Sequence, residues 1–188
     1  MRHTSIVLII FSLYSLLVVA GILGMAAKRR FQFLPELLAV YFALSAFFFF
    51  EYIGFFHTPW FVLALVVLTV LLHGLVGEFI DIYHKSSTFD RWLHLLGAFA
   101  FALFVYSIID NTLQPPALKK TYIFLFVTAI GMALGTLFEI IEFAHDFATR
   151  KKPRLPSQHG LKDTDTDLIF NSIGAVLAGL TAALLYGL

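Results

Sequence analysis

The sequence predicts an all-α, polytopic transmembrane helix bundle of six spans, and three observations carry that prediction. The 188 residues are 60% hydrophobic, with a mean hydropathy of +0.87, against roughly 45–50% apolar in a soluble domain. Charged residues make up 13% of the chain, about half the usual share. Those charges are bunched, and the runs between them approach the ~20 residues that cross a bilayer as a helix.

The first span, near 5–27, outlasts the apolar region of a signal peptide and is closed at once by Lys28, Arg29 and Arg30, so it reads as a retained membrane helix. The second, near 34–56, is rich in phenylalanine, with the run 47–50 facing lipid or packing. It ends at His57, Thr58 and Pro59, a turn whose proline suits the first position of the next helix. The third covers 60–83. Ser86, Ser87 and Thr88 then offer hydroxyls as N-caps for a fourth span near 91–109. Pro115 and Pro116 stop the backbone ladder, since proline brings no N–H. A fifth span at 121–145 leads into the longest loop, 146–166, which holds Pro153, Pro156 and the basic cluster 150–154. The sixth covers 167–187. The whole, 1–188, reads as a single integral membrane domain. Residues 1–59 form two peripheral helices, and residues 60–188 a four-helix core.

Basic residues predict the orientation. The first, third and fifth loops hold ten of the thirteen, and only Arg2, Lys119 and Lys120 fall on the other side. The odd-numbered loops are therefore expected in the cytoplasm and both termini outside, in a plasma membrane. With no cysteine, disulfides, thiolate metal sites and cysteine nucleophiles are excluded. Nucleotide-binding glycine loops, the Gly-x-Ser-x-Gly elbow and nucleic-acid signatures are absent too.

The chain carries an internal repeat. Glu78, Asp81 and His84 close the third helix as acid-x-x-acid-x-x-His, and Glu139, Glu142 and His145 close the fifth in the same way. The helices that follow open with Asp90, His94, Gly97 and Ala98, and with Asp167, Asn171, Gly174 and Ala175, at the same spacing. Two hairpins displaying one pattern predict a parallel repeat about an axis along the membrane normal. On regular helices, Glu78, Asp81 and His84 share an arc of about 120° with His73, Gly74 and Gly77. Gly131 and Gly135 stack above Glu139 and Glu142 likewise. Small residues admit a neighbouring backbone, which points the acids into the bundle.

Acids inside a membrane cost at least ~2.5 kcal/mol each near a helix centre. Several together need cations or shared protons. Glu78, Asp81, Asp90, His94, Glu139, Glu142, Asp167 and Asn171 are thus the candidate catalytic groups. Glu78, His84, Glu139, Glu142 and His145 form a candidate nitrogen and oxygen shell for a divalent metal, similar to the Glu-x-x-His of carboxylate-bridged metal bundles. The bland alternatives stand beside these readings. The acids and histidines can be a hydrogen-bonded network that specifies packing. Asp90 and Asp167, expected in the first turns of their helices, can simply complement the helix dipole. Asn171 can be a helix–helix hydrogen bond, and His73, expected near mid-membrane, a satisfied buried histidine. Asp163, Asp165 and Asp167 look like the start of a calcium loop, but Leu168 and Gly174 stand where such a loop needs glycine and glutamate. Glu36, Glu51 and His57 show no partner pattern.

The stretch from Phe89 through Asp90, Arg91, Trp92 and His94 to Gly97, the pair Glu139 and Glu142, and the stretch 163–171 with Gly174 and Ala175 resemble the YjdF-like inner-membrane proteins. The resemblance covers roughly residues 73–180. More distantly they are similar to VanZ-like membrane proteins, associated with glycopeptide-antibiotic resistance, although Glu142 stands where that pattern usually has glutamine. The resemblance implies a bacterial-type plasma-membrane protein and supplies no reaction. The residues themselves point first to a small enzyme acting on a lipid or lipid-linked substrate at the cytoplasmic face. A carrier of a proton, metal ion or small solute would use the same cluster, with His73, Glu51 and His57 as steps across. A non-catalytic accessory protein is the third reading. The expected partners are the lipid bilayer and that substrate, with no nucleic acid.

Overall fold

The computed structural model describes residues 3–83, 85, 86, 88–149 and 161–187, except for the side chains of His145, Asp146, Ala148 and Thr149. Its elements are α1 (His3–Lys28), a 3-10 turn (Phe31–Phe33), α2 (Leu34–Tyr52), α3 (Trp60–Leu71) continued by a π-helical segment (Leu72–Phe79), α4 (Phe89–Leu113), α5 (Lys120–Thr149) and α6 (Leu161–Tyr186). Among the described residues there is no strand, and six helices are long and apolar enough to cross a membrane. The predicted fold class stands. The boundaries that moved have local causes. Serine caps α4, but through Ser86: its Oγ accepts the Phe89 N–H at 3.2 Å. Gln114, in the left-handed region at φ 44°, closes α4 ahead of Pro115 by donating its N–H to the Asp110 carbonyl.

The chain forms two compact units, 1–93 with 107–114, and 94–106 with 115–188, so α4 contributes residues to both. In the first unit, α1 buries Val7, Tyr14, Val18, Gly21 and Met25, and α2 buries Leu37, Leu44, Phe48 and Glu51. Both stripes step by seven, four and three residues, the spacing that keeps one seam facing a neighbour over many turns. Tyr14 and Phe11 meet Tyr41 and Phe48 across that seam, and the Ser15 and Tyr41 hydroxyls lie 3.2 Å apart. The third helix departs from expectation. It winds as a π-helix from Leu72 and stops at Phe79 rather than at 83, and Asp81 takes φ 70°. Glu78 and Asp81 therefore do not share one regular helical arc. The ring of Tyr83, not another helix, occupies the space beside Gly77.

The second unit is built on small residues. α6 buries Asp167, Asn171, Gly174, Ala175, Ala178, Gly179, Ala182 and Ala183 along one face. A Cβ at Gly131 would lie 2.6 Å from the Ala175 Cβ and 3.2 Å from that of Ala102. One at Gly174 would collide with the Leu95 carbonyl oxygen, and one at Gly179 with Thr128. In a membrane, where no hydrophobic effect drives helices together, such close backbone approach supplies the dispersion that holds them. Tyr106 closes the other end, with its ring 5.2 Å from that of Tyr186. α6 begins at Leu161, six residues before the predicted start at 167.

Candidate functional site: a buried carboxylate–histidine cluster

In the second unit, α4, α5 and α6 bring together side chains that lie far apart in sequence. His94 stands in the second turn of α4. Glu139 and Glu142 lie in the last two turns of the apolar span Lys120–Ala144 of α5. Asp167 and Asn171 occupy the second and third turns of α6. The Nε2 of His94 lies 3.5 Å from Oε1 of Glu139, and their side chains are only 3% and 6% exposed. Ligand atoms of His94, Glu139 and Glu142 all lie within 4.8 Å of one another, and an Asp167 carboxylate oxygen lies within the same distance of His94. The ring of Phe138 meets the imidazole edge-on, 5.4 Å away.

Local sequence explains the assembly. Gly131, Gly135, Glu139 and Glu142 recur at four- and three-residue steps, so on a regular α-helix they line one face. The glycines let α6 approach, and the Asn171 side chain occupies the space a Cβ at Gly135 would fill. Asn171 is 3% exposed, and among the described residues its Nδ2 finds no hydrogen-bond acceptor. Glu139 and Asp167 are 5% and 2% exposed. Carboxylates this buried stay ionised only beside compensating positive charge; otherwise they take up protons. A protonated imidazole, a shared proton or a divalent cation would each meet that need, and the nitrogen and oxygen donors suit Mn, Fe, Zn or Mg.

Of the residues singled out from sequence, His94, Glu139, Glu142, Asp167 and Asn171 thus gather in the second unit. Glu78, Asp81 and Asp90 belong to the first. Asp90 does lie in the first turn of α4, but Asp167 does not open α6; Asp163 does. The early start of α6 carries Asp167 inward, so the dipole explanation fails for it. His84 lies outside the described residues, as does the side chain of His145.

Two polar constellations of the first unit escaped sequence reasoning. Glu51 is 3% exposed, accepts the Thr58 N–H at 2.8 Å and lies 2.8 Å from the His3 Nε2, with the His57 ring stacked on that of His3. His73 contacts Tyr83 and Glu36. Because Glu36 is in the first turn of α2, His73 sits beside that end of the helix. An acid inside the aromatic run of α2 was the one visible signal for Glu51.

The family model described as "Predicted membrane protein (DUF2238)" matches residues 7–187, and the chain belongs to that family of membrane proteins. A Thermotoga maritima protein described as "Uncharacterized protein" is 32% identical over 111 residues, a match covering 56% of this chain and 53% of the relative. The match thus spans about half of that relative's length. No solved structure matches the chain.

Proposed function

We propose that this member of the DUF2238 membrane-protein family is a small enzyme acting on a lipid or lipid-linked substrate at the cytoplasmic interface, through the cluster of His94, Glu139, Glu142, Asp167 and Asn171. One observation carries the reading: a histidine and a glutamate pair at 3.5 Å, both almost fully buried, at the interfacial end of a membrane span. A buried imidazole beside carboxylates can pass a proton near neutrality, or the same atoms can hold a divalent metal that polarises a substrate oxygen. Asn171 adds an amide donor able to hold such an oxygen. The excess of basic residues in the odd-numbered loops supports the cytoplasmic side for this end, with both termini outside and the protein in the plasma membrane.

The carrier reading needs a polar route across the bilayer. Glu36 and Glu51 are fifteen residues apart on α2, about 22 Å of helix rise. Glu51 is engaged by Thr58 and His3, while His73 pairs with Glu36, so the steps that would have crossed the membrane sit at opposite ends of one helix.

The test compares the wild type with the volume-conserving double variant Glu139→Gln/Glu142→Gln, expressed to equal levels. Lipid extracts are profiled by mass spectrometry, and the purified proteins are analysed for metal. A lipid or lipid-linked species changed by the wild type and restored in the variant is expected, with activity down ~10²–10⁴-fold as for the loss of acid–base groups. No species differing between the two strains, or proton flux in liposomes abolished by the double substitution, overturns the reading. Metal in the wild type but not in the variant assigns the chemistry to the cation, and metal in neither assigns it to proton transfer.

A further inference from the structure

The first unit holds a second hydrogen-bonded chain of reactive groups. The Tyr83 hydroxyl lies 2.6 Å from Nδ1 of His73, and Nε2 of His73 lies 3.1 Å from Oε1 of Glu36. A carboxylate only accepts, so Glu36 takes the Nε2–H, and whenever the imidazole is neutral that tautomer leaves a lone pair on Nδ1. That lone pair accepts the Tyr83 O–H. The order is therefore orienting acid, base and hydroxyl, the geometry that activates a nucleophile.

Several irregular features make this contact. The imidazole rides on the π-helical segment Leu72–Phe79, a winding found disproportionately at functional sites. Asp81 adopts φ 70° just after the helix ends. Two residues later, Tyr83 lays its ring on Gly77, where no Cβ could fit. Phe89 packs edge-on against the same ring, 5.4 Å away. The chain is open to a reactant, since the Glu36 and His73 side chains are 45% and 24% exposed.

We propose that Glu36, His73 and Tyr83 form a reactive centre in which the Tyr83 phenol oxygen is the nucleophile and neutral acyl groups are its substrates. The charge next to the ring argues for neutral substrates: Glu36 contacts the imidazole and Glu78 and Asp90 act on it electrostatically, whereas Lys28, Arg30 and Lys85 are held on the Phe79 ring and the Phe79 and Ile80 carbonyls, so phosphate is disfavoured at the imidazole. In the acyl step the phenol oxygen bonds to the carbonyl carbon and its proton moves to Nδ1 of His73. The ester C–O bond breaks, and the leaving alkoxide takes that proton. Water then attacks the acyl-tyrosine, giving a proton back to the phenolate through His73 and releasing the acid. Glu36 is a positioning residue that fixes the tautomer, and its charge, which glutamine lacks, stabilises the imidazolium formed in the step.

The test treats the full chain, in detergent or vesicles, with p-nitrophenyl acetate and maps acetylated tyrosines by mass spectrometry over time. Tyr52 and Tyr122, 51% and 54% exposed, serve as references inside the same molecule. Tyr83 is expected to acetylate at least about tenfold faster than either, a cautious bound beneath the ~10²-fold lower end of general-base assistance. Glu36→Gln and His73→Asn are expected to remove the excess rate while leaving the references unchanged. If His73→Asn fails to fold, Glu36→Gln, at a half-exposed side chain, still decides. Tyr83 reacting no faster than the references, or equally fast in Glu36→Gln, overturns the proposal. With p-nitrophenyl phosphate in place of the acetate, Tyr83 is expected to stay unmodified, and phosphorylation of Tyr83 overturns the substrate class.

Discussion

Single side chains in this protein answer one question repeatedly: what does a polar atom do once water is gone? Glu51 shows the structural answer. One of its oxygens accepts the Thr58 N–H just ahead of α3 and meets His3, while Thr58 itself is fully buried. Replacing Glu51 by leucine leaves that N–H without an acceptor, a loss of about 1–3 kcal/mol. Replacing it by glutamine keeps an acceptor oxygen and costs less. Thermal unfolding midpoints in detergent should rank wild type, Glu51→Gln and Glu51→Leu in that order, and equal midpoints for the two variants would deny Glu51 the capping role. His94 and Glu139 carry the proposed functional answer, because a buried acid–imidazole pair is able to supply protons or ligands as well as packing.

At the level of helices, small residues decide who touches whom. Gly131 is closed in by Ala175 and Ala102, whereas a Cβ at Gly74 would meet Leu37 at an ordinary 3.7 Å. Gly131→Leu is therefore expected to lose about 1–3 kcal/mol through overpacking and to separate α5 from α6. Gly74→Ala should be nearly neutral in the same thermal melt. If both melt alike, close approach of α5 and α6 does not hold the second unit together. The third helix teaches a different lesson. Its acid-x-x-acid-x-x-His spacing matches that of α5 residue for residue, yet its backbone winds as a π-helix and ends four residues early, while α5 runs on unbroken. Equal patterns thus sit on unequal backbones, and only the second keeps its acids one regular turn apart.

If the six candidate spans cross in turn, successive loops fall on alternating membrane faces, and in the proposed orientation the basic residues choose which face is which. Because the chain has no cysteine, single reporters can test the proposed orientation against a clean background. Leu118→Cys should react with a membrane-impermeant maleimide on intact cells, and Ser86→Cys only after lysis. The reverse result would invert the orientation and put the His94–Glu139 end of α5 outside.

What the sequence determined by itself is everything that follows from local composition and spacing. Apolar length sets the number of spans, prolines and charges set the breaks, and the periodic glycines and acids of α5 set one polar face. His94, Glu139, Glu142, Asp167 and Asn171 could be singled out because their residue types are costly in lipid wherever they point. Tertiary structure alone decided the partners. That Glu139 meets His94 depends on which helix lies against α5. The contacts Glu51 makes with Thr58 and His3 depend on α1 and the turn before α3 reaching the end of α2, and those of His73 with Glu36 and Tyr83 on a π-helical winding and a left-handed Asp81 that leave no periodic mark in the chain. Pairing energies between distant side chains arise only once helices pack, so no reading of spacing along one helix contains them.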